Sequence, residues 1–324
     1  MLVDSFGRAI NYLRLSVTDR CNLRCSYCMP AEGVAQVAHA DILSYEELFL
    51  LAQAAVSLGV EKIRITGGEP LVRKGILEFL QRLCGLPGLR QLVLTTNGVL
   101  LDDMAVSLRA AGVQRLNVSL DSLDAATFAR ITRCGELRQV LSGIQAAERT
   151  GLALKLNMVV MRGVNDHEVV DFARMTLTRG IAVRYIEYMP VIREPGWQSL
   201  VVPGEEILAR LSREFAFDCL PNARLAGPAQ NYRIAGARGT FGIITPLTGH
   251  FCGACNRIRV TASGKARSCL FSEQEMNLRP FLRSQNLSLL KVALRRVVKG
   301  KPGMHGLSRE GADHQPFAMS SVGG

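Results

Sequence analysis

The sequence has no apolar run approaching the roughly 18 residues of a helical membrane span, so no span is expected. Its opening stretch, MLVDSFGRAI, carries Asp4 ahead of the first Arg and has no long apolar core, which predicts no secretory leader and a soluble, cytoplasmic chain. Aromatic residues are scarce, 6% with a single Trp. Nucleic-acid binders set aromatic side chains among their basic ones. The formal net charge of +11 therefore points to a small polyanion, and no nucleic-acid or membrane partner is expected. The nine cysteines are an odd number, which argues against a fully paired disulfide framework.

What is present is a repeating order of short β-rich runs, each followed by a helical pattern. The 324 residues suit one large or two moderate domains, and 48% hydrophobic content suffices for a substantial core. Strands are predicted over 12–17, 62–66, 91–96, 115–120, 152–160 and 183–189. Helices are predicted over 44–59, with Ser44 and Glu47 as a capping box, then 75–84, 101–111, 124–131, 137–150 and from Asn165. Six strand–helix units predict an α/β fold, a partial (βα)6 TIM-type barrel, with an open doubly-wound sheet as the alternative. The pattern breaks near residue 195. EPGWQS, PNARLAGPAQN and the Gly-rich 236–242 stretch are loop-like. The expected division is 1–220 for the barrel and 221–324 for a smaller C-terminal domain closing the barrel mouth. In that second unit RIRVT and KARSCL, joined by the turn ASG, predict a β-hairpin over 257–270, and 289–298 an amphipathic helix with a basic, solvated face.

Six cysteines fall into two tight groups, Cys21, Cys25, Cys28 and Cys252, Cys255, Cys269. In a reducing compartment such clusters hold metal more often than they pair. Cys84, Cys134 and Cys219 stand alone and are read as small core residues. The first group, C-x3-C-x2-C, lies on the loop after the first predicted strand and differs from the paired CxxC of structural zinc sites. Thiolates hold iron–sulfur clusters, and three of them grip three irons of a [4Fe–4S] cube while leaving the fourth open to a chelating ligand. Zinc completed by a distant His or Cys is the other reading. The second group, C-x2-C-x13-C, is open to the same two readings. The hairpin register brings Cys269 nearly opposite Arg257 and so near Cys255, and His250 is a candidate fourth ligand by proximity.

CxxxCxxC after a first strand, with GGEP (Gly67, Gly68, Glu69, Pro70) after the second, resembles the radical S-adenosylmethionine superfamily. There the amino and carboxylate groups of the cofactor's methionine occupy the open iron. One electron from the cluster cleaves the sulfonium to give a 5′-deoxyadenosyl radical. Glycines in GGEP allow close backbone approach to a ligand, and carbonyls with a nearby carboxylate accept from an ammonium. The stretches LRLSVTDRCNLRCSYCMP, RITGGEPLVR, LTTNG, NVSLDS, LKLNMVV, VRYIEYMPV, CGACNRIRVTASGKARSCL and the final VGG extend the resemblance nearly end to end. They point to the branch of the superfamily that acts on GTP in the first step of molybdenum-cofactor biosynthesis.

The resemblance implies two [4Fe–4S] clusters, each on three cysteines, with S-adenosylmethionine on the open iron of the first and guanine on that of the second. It places cofactor contacts at Tyr27, Gly68, Ser119 and Met189. It places GTP contacts at Arg14, Lys62, Arg64, Thr95, Lys155, Arg184, Arg257 and Arg259. Charged residues at i, i+2 in a strand share one face, and buried cations there need anionic partners. Gly323 and Gly324 match a C-terminal Gly-Gly that reaches into the active site and is needed for the reaction. The implied chemistry removes the 3′ hydrogen of GTP and joins C3′ to C8, giving (8S)-3′,8-cyclo-7,8-dihydroguanosine 5′-triphosphate. A flavodoxin- or ferredoxin-like electron donor and a homodimer are implied as partners. A peptide-modifying radical enzyme and a zinc-stabilised nucleic-acid-binding protein are the rival readings.

Overall fold

The computed structural model describes residues 1–192, 195–307 and 315–323. A short antiparallel pair, β1 (Leu2–Val3) and β2 (Ala9–Ile10), opens the chain. Six parallel strands follow: β3 (Tyr12–Ser16), β4 (Lys62–Thr66), β5 (Gln91–Thr96), β6 (Arg115–Ser119), β7 (Ala153–Val160) and β8 (Ala182–Glu187). Helices α1 (Tyr45–Ser57), α2 (Ile76–Cys84), α3 (Leu101–Ala110), α4 (Ala125–Thr132), α5 (Leu137–Arg149) and α6 (Val169–Thr178) fill the connections. The expected capping box is present: Ser44 Oγ accepts from the Glu47 N–H at 3.2 Å and Glu47 accepts from the Ser44 N–H at 2.8 Å.

The alternation of the strand sequences decides which way each side chain points. Leu13, Leu15, Ile63, Ile65, Leu92, Leu94, Leu116 and Val118 are all buried in the core against the helices. The other set includes Arg14, Lys62, Arg64, Arg115, Asn117 and Lys155, which line the concave face. Parallel strands ordinarily carry apolar residues on both faces. Here only the outer face is packed like a core.

The C-terminal residues add α7 (Gly204–Ser212), β9 (Phe217–Leu220), β10 (Gln230–Ile234), β11 (Thr240–Ile244), β12 (Arg257–Val260), β13 (Lys265–Arg267), β14 (Met276–Asn277), α8 (Arg279–Arg283), α9 (Leu287–Lys299) and α10 (Met319–Val322). β12 pairs in parallel with β3, and β11 in parallel with β8. These strands thus extend both edges of the barrel sheet, in the order β14-β13-β12-β3-β4-β5-β6-β7-β8-β11-β10-β9. The 236–242 stretch, expected as loop, enters β11 at Thr240. Gly239 permits this, because a Cβ there would lie 2.2 Å from the Ile181 carbonyl oxygen. The 257–270 hairpin forms with Arg259 opposite Arg267, and Cys269 lies beyond its strand. Helix α9 packs its apolar stripe of Leu290, Ala293, Leu294 and Val297 inward, as expected.

The solitary cysteines are not core residues. Cys84, Cys134 and Cys219 are all exposed. Cys84 ends α2, Cys134 lies in the turn after α4, and Cys219 is on the edge strand β9, positions that the core does not cover. Among the described residues, no helix is long and apolar enough to cross a membrane.

Candidate functional site

A cavity of about 310 Å³ opens at the concave face of the sheet. All six clustered cysteines line it, as do Tyr27, Gly68, Ser119 and Met189, and all eight residues matched to GTP contacts: Arg14, Lys62, Arg64, Thr95, Lys155, Arg184, Arg257 and Arg259.

The first cysteine loop is built by local turns. The N–H groups of Cys28 and Met29 donate to the Cys25 carbonyl at 3.0 and 3.2 Å, and those of Arg24 and Ser26 to the end of α4, at Thr132 and Ile131. The Gly68 N–H donates to Thr18 and that of Glu69 to Arg20, both at 2.8 Å. A Cβ at Gly68 would stand 2.3 Å from the Arg20 carbonyl oxygen, so only glycine lets the GGEP loop meet the cysteine loop this closely. Glu69 is anchored by its own surroundings. Its buried carboxylate accepts from the N–H groups of Leu71 and Asn97 and from Thr96 Oγ1, at 3.0, 2.6 and 2.8 Å. It ties GGEP to the TTNG loop, and burial raises its pKa to about 7 despite those bonds.

Tyr27 donates its hydroxyl to Asp121 Oδ2 at 2.8 Å, while Asp121 Oδ1 accepts from the Val159 N–H at 2.9 Å. Burial dominates the thiols of this group. It pushes Cys21 and Cys25 up, and Cys28 to about 12. Bare thiolates are therefore costly here. Sulfur bonded to a cationic metal centre removes that cost, so three cysteines of one loop lining a common cavity fit an iron–sulfur group.

The second group sits on a 3₁₀ turn over Phe251–Ala254 and on the far side of the β12–β13 hairpin. Burial pushes Cys252 up and opposes ionisation of Cys255, but Arg257 and Lys301 more than offset it at Cys255, whose thiol falls to about 7. Arg257 Nη2 is 3.8 Å from Cys255 Sγ. His250 is exposed and is absent from the cavity wall, which His305 lines instead. Among the described residues, no three Cys, His, Asp or Glu side chains are gathered around a point as the ligands of a single ion would be.

The cations stand in rows. Arg259, Arg14 and Arg64 are register neighbours across β12, β3 and β4, and Arg257, Tyr12 and Lys62 form the next row. Lys62 Nζ lies 4.4 Å from the centre of the Tyr12 ring. It also donates to the Leu225 carbonyl at 2.9 Å. Burial and the neighbouring cations lower Lys62 and Lys155 to about 6, and Arg184 and Arg259 to about 10. Buried Nε atoms of Arg14, Arg64, Arg115 and Arg184, and Thr95 Oγ1, have no hydrogen-bond partner. Such donors converging on a cavity fit an anion with several oxygens.

Arg115, Asn117 and Lys301 line this site although the sequence reading did not single them out. Asn117, with its amide oxygen turned to Arg64, accepts from both Nη atoms at 2.8 and 3.0 Å. The signal for the first two was available: Ser119 facing inward places Asn117 and Arg115 on the same strand face. The tail reaches the cavity too. The Met319 N–H donates to the Cys28 carbonyl at 3.0 Å, and Arg259 Nη1 donates to the Gly323 carbonyl at 3.2 Å. Gly324 lies outside the described residues.

Residues 15–176 match the radical SAM superfamily, and residues 181–307 match the family described as Molybdenum Cofactor Synthesis C. A GTP 3′,8-cyclase of Geobacter sulfurreducens is 63% identical over 324 residues, covering 100% of this chain and 99% of that one. A GTP 3′,8-cyclase of Moorella thermoacetica is 45% identical, covering 99% of each. In fold, the chain is similar to Streptococcus suis SuiB bound to S-adenosylmethionine. The TM-score is 0.59 at 13% identity, over 87% of this chain and 64% of that one.

Proposed function

This chain belongs to the GTP 3′,8-cyclase family of the radical SAM superfamily, and we propose from that premise how its cavity performs the reaction. It converts GTP to (8S)-3′,8-cyclo-7,8-dihydroguanosine 5′-triphosphate, the first step of molybdenum-cofactor biosynthesis. It uses S-adenosylmethionine and an iron–sulfur cluster. We assign that cluster to Cys21, Cys25 and Cys28, and a second [4Fe–4S] cluster to Cys252, Cys255 and Cys269. Held at Cys21, Cys25 and Cys28, the cluster with S-adenosylmethionine would supply the one-electron chemistry that removes the 3′ hydrogen of the ribose.

The chain's own residues bind, orient and enclose. Tyr27, Gly68, Ser119 and Met189 place the cofactor beside the first cysteine loop, with Asp121 fixing the Tyr27 hydroxyl. The rows Arg259–Arg14–Arg64 and Arg257–Lys62, with Thr95, Lys155 and Arg184, take the triphosphate, which brings acceptors to donors that otherwise have none. Lys62 and Lys155 gain protons as the phosphates arrive, because an adjacent anion favours the ammonium. The phosphates held at one end fix how far the ribose and guanine reach toward the two cysteine groups. Gly323 completes the enclosure next to Arg259, and Gly324, outside the described residues, is assigned to the reaction with it.

The observation that carries this reading is that both cysteine groups and the unneutralised cation rows face the same cavity. In the same reading, residues 1–220 form the radical domain and 221–324 the domain of the second cluster. The protein works as a cytoplasmic homodimer fed by a flavodoxin- or ferredoxin-like donor, whose acidic surface would suit the net +11 charge. Anaerobic incubation with GTP, S-adenosylmethionine and dithionite tests it. The expected product is isomeric with GTP by mass spectrometry and forms with 5′-deoxyadenosine. Cofactor cleavage without any GTP-derived product would overturn the substrate assignment.

A further inference from the structure

Lys301 follows α9 and is 3% exposed. Its ammonium donates to the Arg257 carbonyl at 2.9 Å and to the Ser268 carbonyl at 2.6 Å, one on each strand side of the hairpin that carries the second cysteine group. Its remaining donor faces Cys255 Sγ, and the Cys269 thiol and the Arg257 guanidinium are its other charge neighbours. Among the described residues, no carboxylate pairs with it. Arg257 adds a second positive charge 3.8 Å from the same sulfur, and the His305 N–H donates to Cys252. The first group has the opposite surroundings. Asp121 faces Cys25, and Glu69 faces Cys21, with Arg24 as the one cation acting on it.

A buried cation beside thiolate ligands stabilises the more negative, reduced state of whatever metal centre they hold. In a low dielectric that effect is large, and hydrogen bonds to the ligand sulfurs act in the same direction. We propose that Lys301 is a positioning residue of the second cysteine group, anchoring its hairpin and raising the reduction potential of the centre held there above that of the centre at Cys21, Cys25 and Cys28. The two centres then differ in potential because one lies among carboxylates and the other among cations. This rests on the reading that Cys252, Cys255 and Cys269 hold a [4Fe–4S] cluster.

The test uses the full chain reconstituted anaerobically, as wild type, Lys301→Gln and Lys301→Arg. Iron and sulfide are counted first. Each centre is then titrated potentiometrically by its paramagnetic signal, with the signals assigned in a Cys25→Ser background that retains only the second centre. In Lys301→Gln the second centre should be at least tenfold harder to reduce, a downward shift of ~59 mV for one electron. Lys301→Arg should stay near wild type, and the first centre should be unmoved in both. Two full clusters with an unmoved second potential in Lys301→Gln would overturn the role of Lys301. Iron and sulfide for one cluster in the wild type would instead overturn the two-cluster reading, and this proposal with it. If Lys301→Gln sheds the second centre, Lys301→Arg decides: retention at the wild-type potential supports the proposal, and shedding or a fall in potential overturns it.

Discussion

Arg14 and Arg259 are register partners on adjacent parallel strands, and Arg64 flanks Arg14 on its other side. Three guanidinium groups thus share one row of the sheet, two of them with a buried Nε that has no partner. Like charges so placed repel one another. A polyanion turns that repulsion into attraction, so binding has to be linked to protons at the softest members of the set, Lys62 and Lys155.

That linkage has a sign. In the free cavity both lysines are lowered to about 6, and bound phosphates raise them. Their contribution to GTP affinity is complete below about pH 6 and is lost as pH rises through the raised, bound-state values. Calorimetry in buffers of different ionisation enthalpy should find proton uptake on GTP binding near pH 7 and weaker binding toward pH 8. Lys155→Met should reduce the uptake. Affinity flat across this range, without uptake, would contradict the scheme.

The two cysteine groups separate by substitution. Cys25→Ser should abolish 5′-deoxyadenosine formation, while Cys255→Ser should leave cofactor cleavage chemically possible and stop GTP conversion. Chromatography of both products on each variant checks this, and normal 5′-deoxyadenosine output from Cys25→Ser would exclude the assignment of the first group.

Gly68→Ala forces a Cβ against the Arg20 carbonyl oxygen, 2.3 Å away, and the cysteine loop cannot yield without losing the bonds that Thr18 and Arg20 accept from the Gly68 and Glu69 N–H groups. We expect a stability loss of about 1–3 kcal/mol by denaturant unfolding and a large loss of cofactor affinity. Gly180→Ala, with nothing within 4 Å, is the control and should match wild type.

Glu187 ends β8 fully buried and accepts from the N–H groups of Gly204, Leu247 and Thr248 at 2.9, 3.0 and 3.2 Å, and from the Thr248 hydroxyl. Glu187→Ala strands these donors. The apo chain should lose about 3 kcal/mol or more, read as a lower unfolding midpoint. An unchanged midpoint would mean that water replaces the carboxylate.

Gly323 has φ +79° and would place a Cβ 3.0 Å from Ser16 Cβ, so Gly323→Ala is both strained and crowded. Deleting Gly323 and Gly324 should spare iron and sulfide content yet stop cyclisation. Full product formation by the truncated chain would refute a role for the tail.

The barrel was legible because each strand alternates one packed and one polar residue, as in KIRIT and YLRLS, and because the loops after them carry CxxxCxxC and GGEP. What escaped was non-local. β11 and β12 join β8 and β3 by pairing with strands far away in sequence, and five-residue runs such as TFGII do not announce their partner. Arg115 was hidden by its ordinary look as a strand-edge charge, and Lys301 because only the folded hairpin puts carbonyls and sulfur around it. The solitary cysteines were misplaced because a cysteine's apolar character does not say whether a helix end or an edge strand is covered.

Arg8, near the start of the chain, donates to the carbonyls of Cys252, Pro302 and Gly303 at 2.7, 2.6 and 3.0 Å, while Met319, near its end, docks on Cys28. Each cysteine loop is thus finished by a segment near the opposite extremity of the polypeptide. Such contacts have very large sequence separation and form late, since the loop-closure cost precedes their reward. A nascent chain leaving the ribosome would present its first thiols uncovered until Met319 had emerged. Metal loading of the first loop, as proposed above, would then follow the emergence of Met319, and a chain ending before Met319 would leave that loop unfinished.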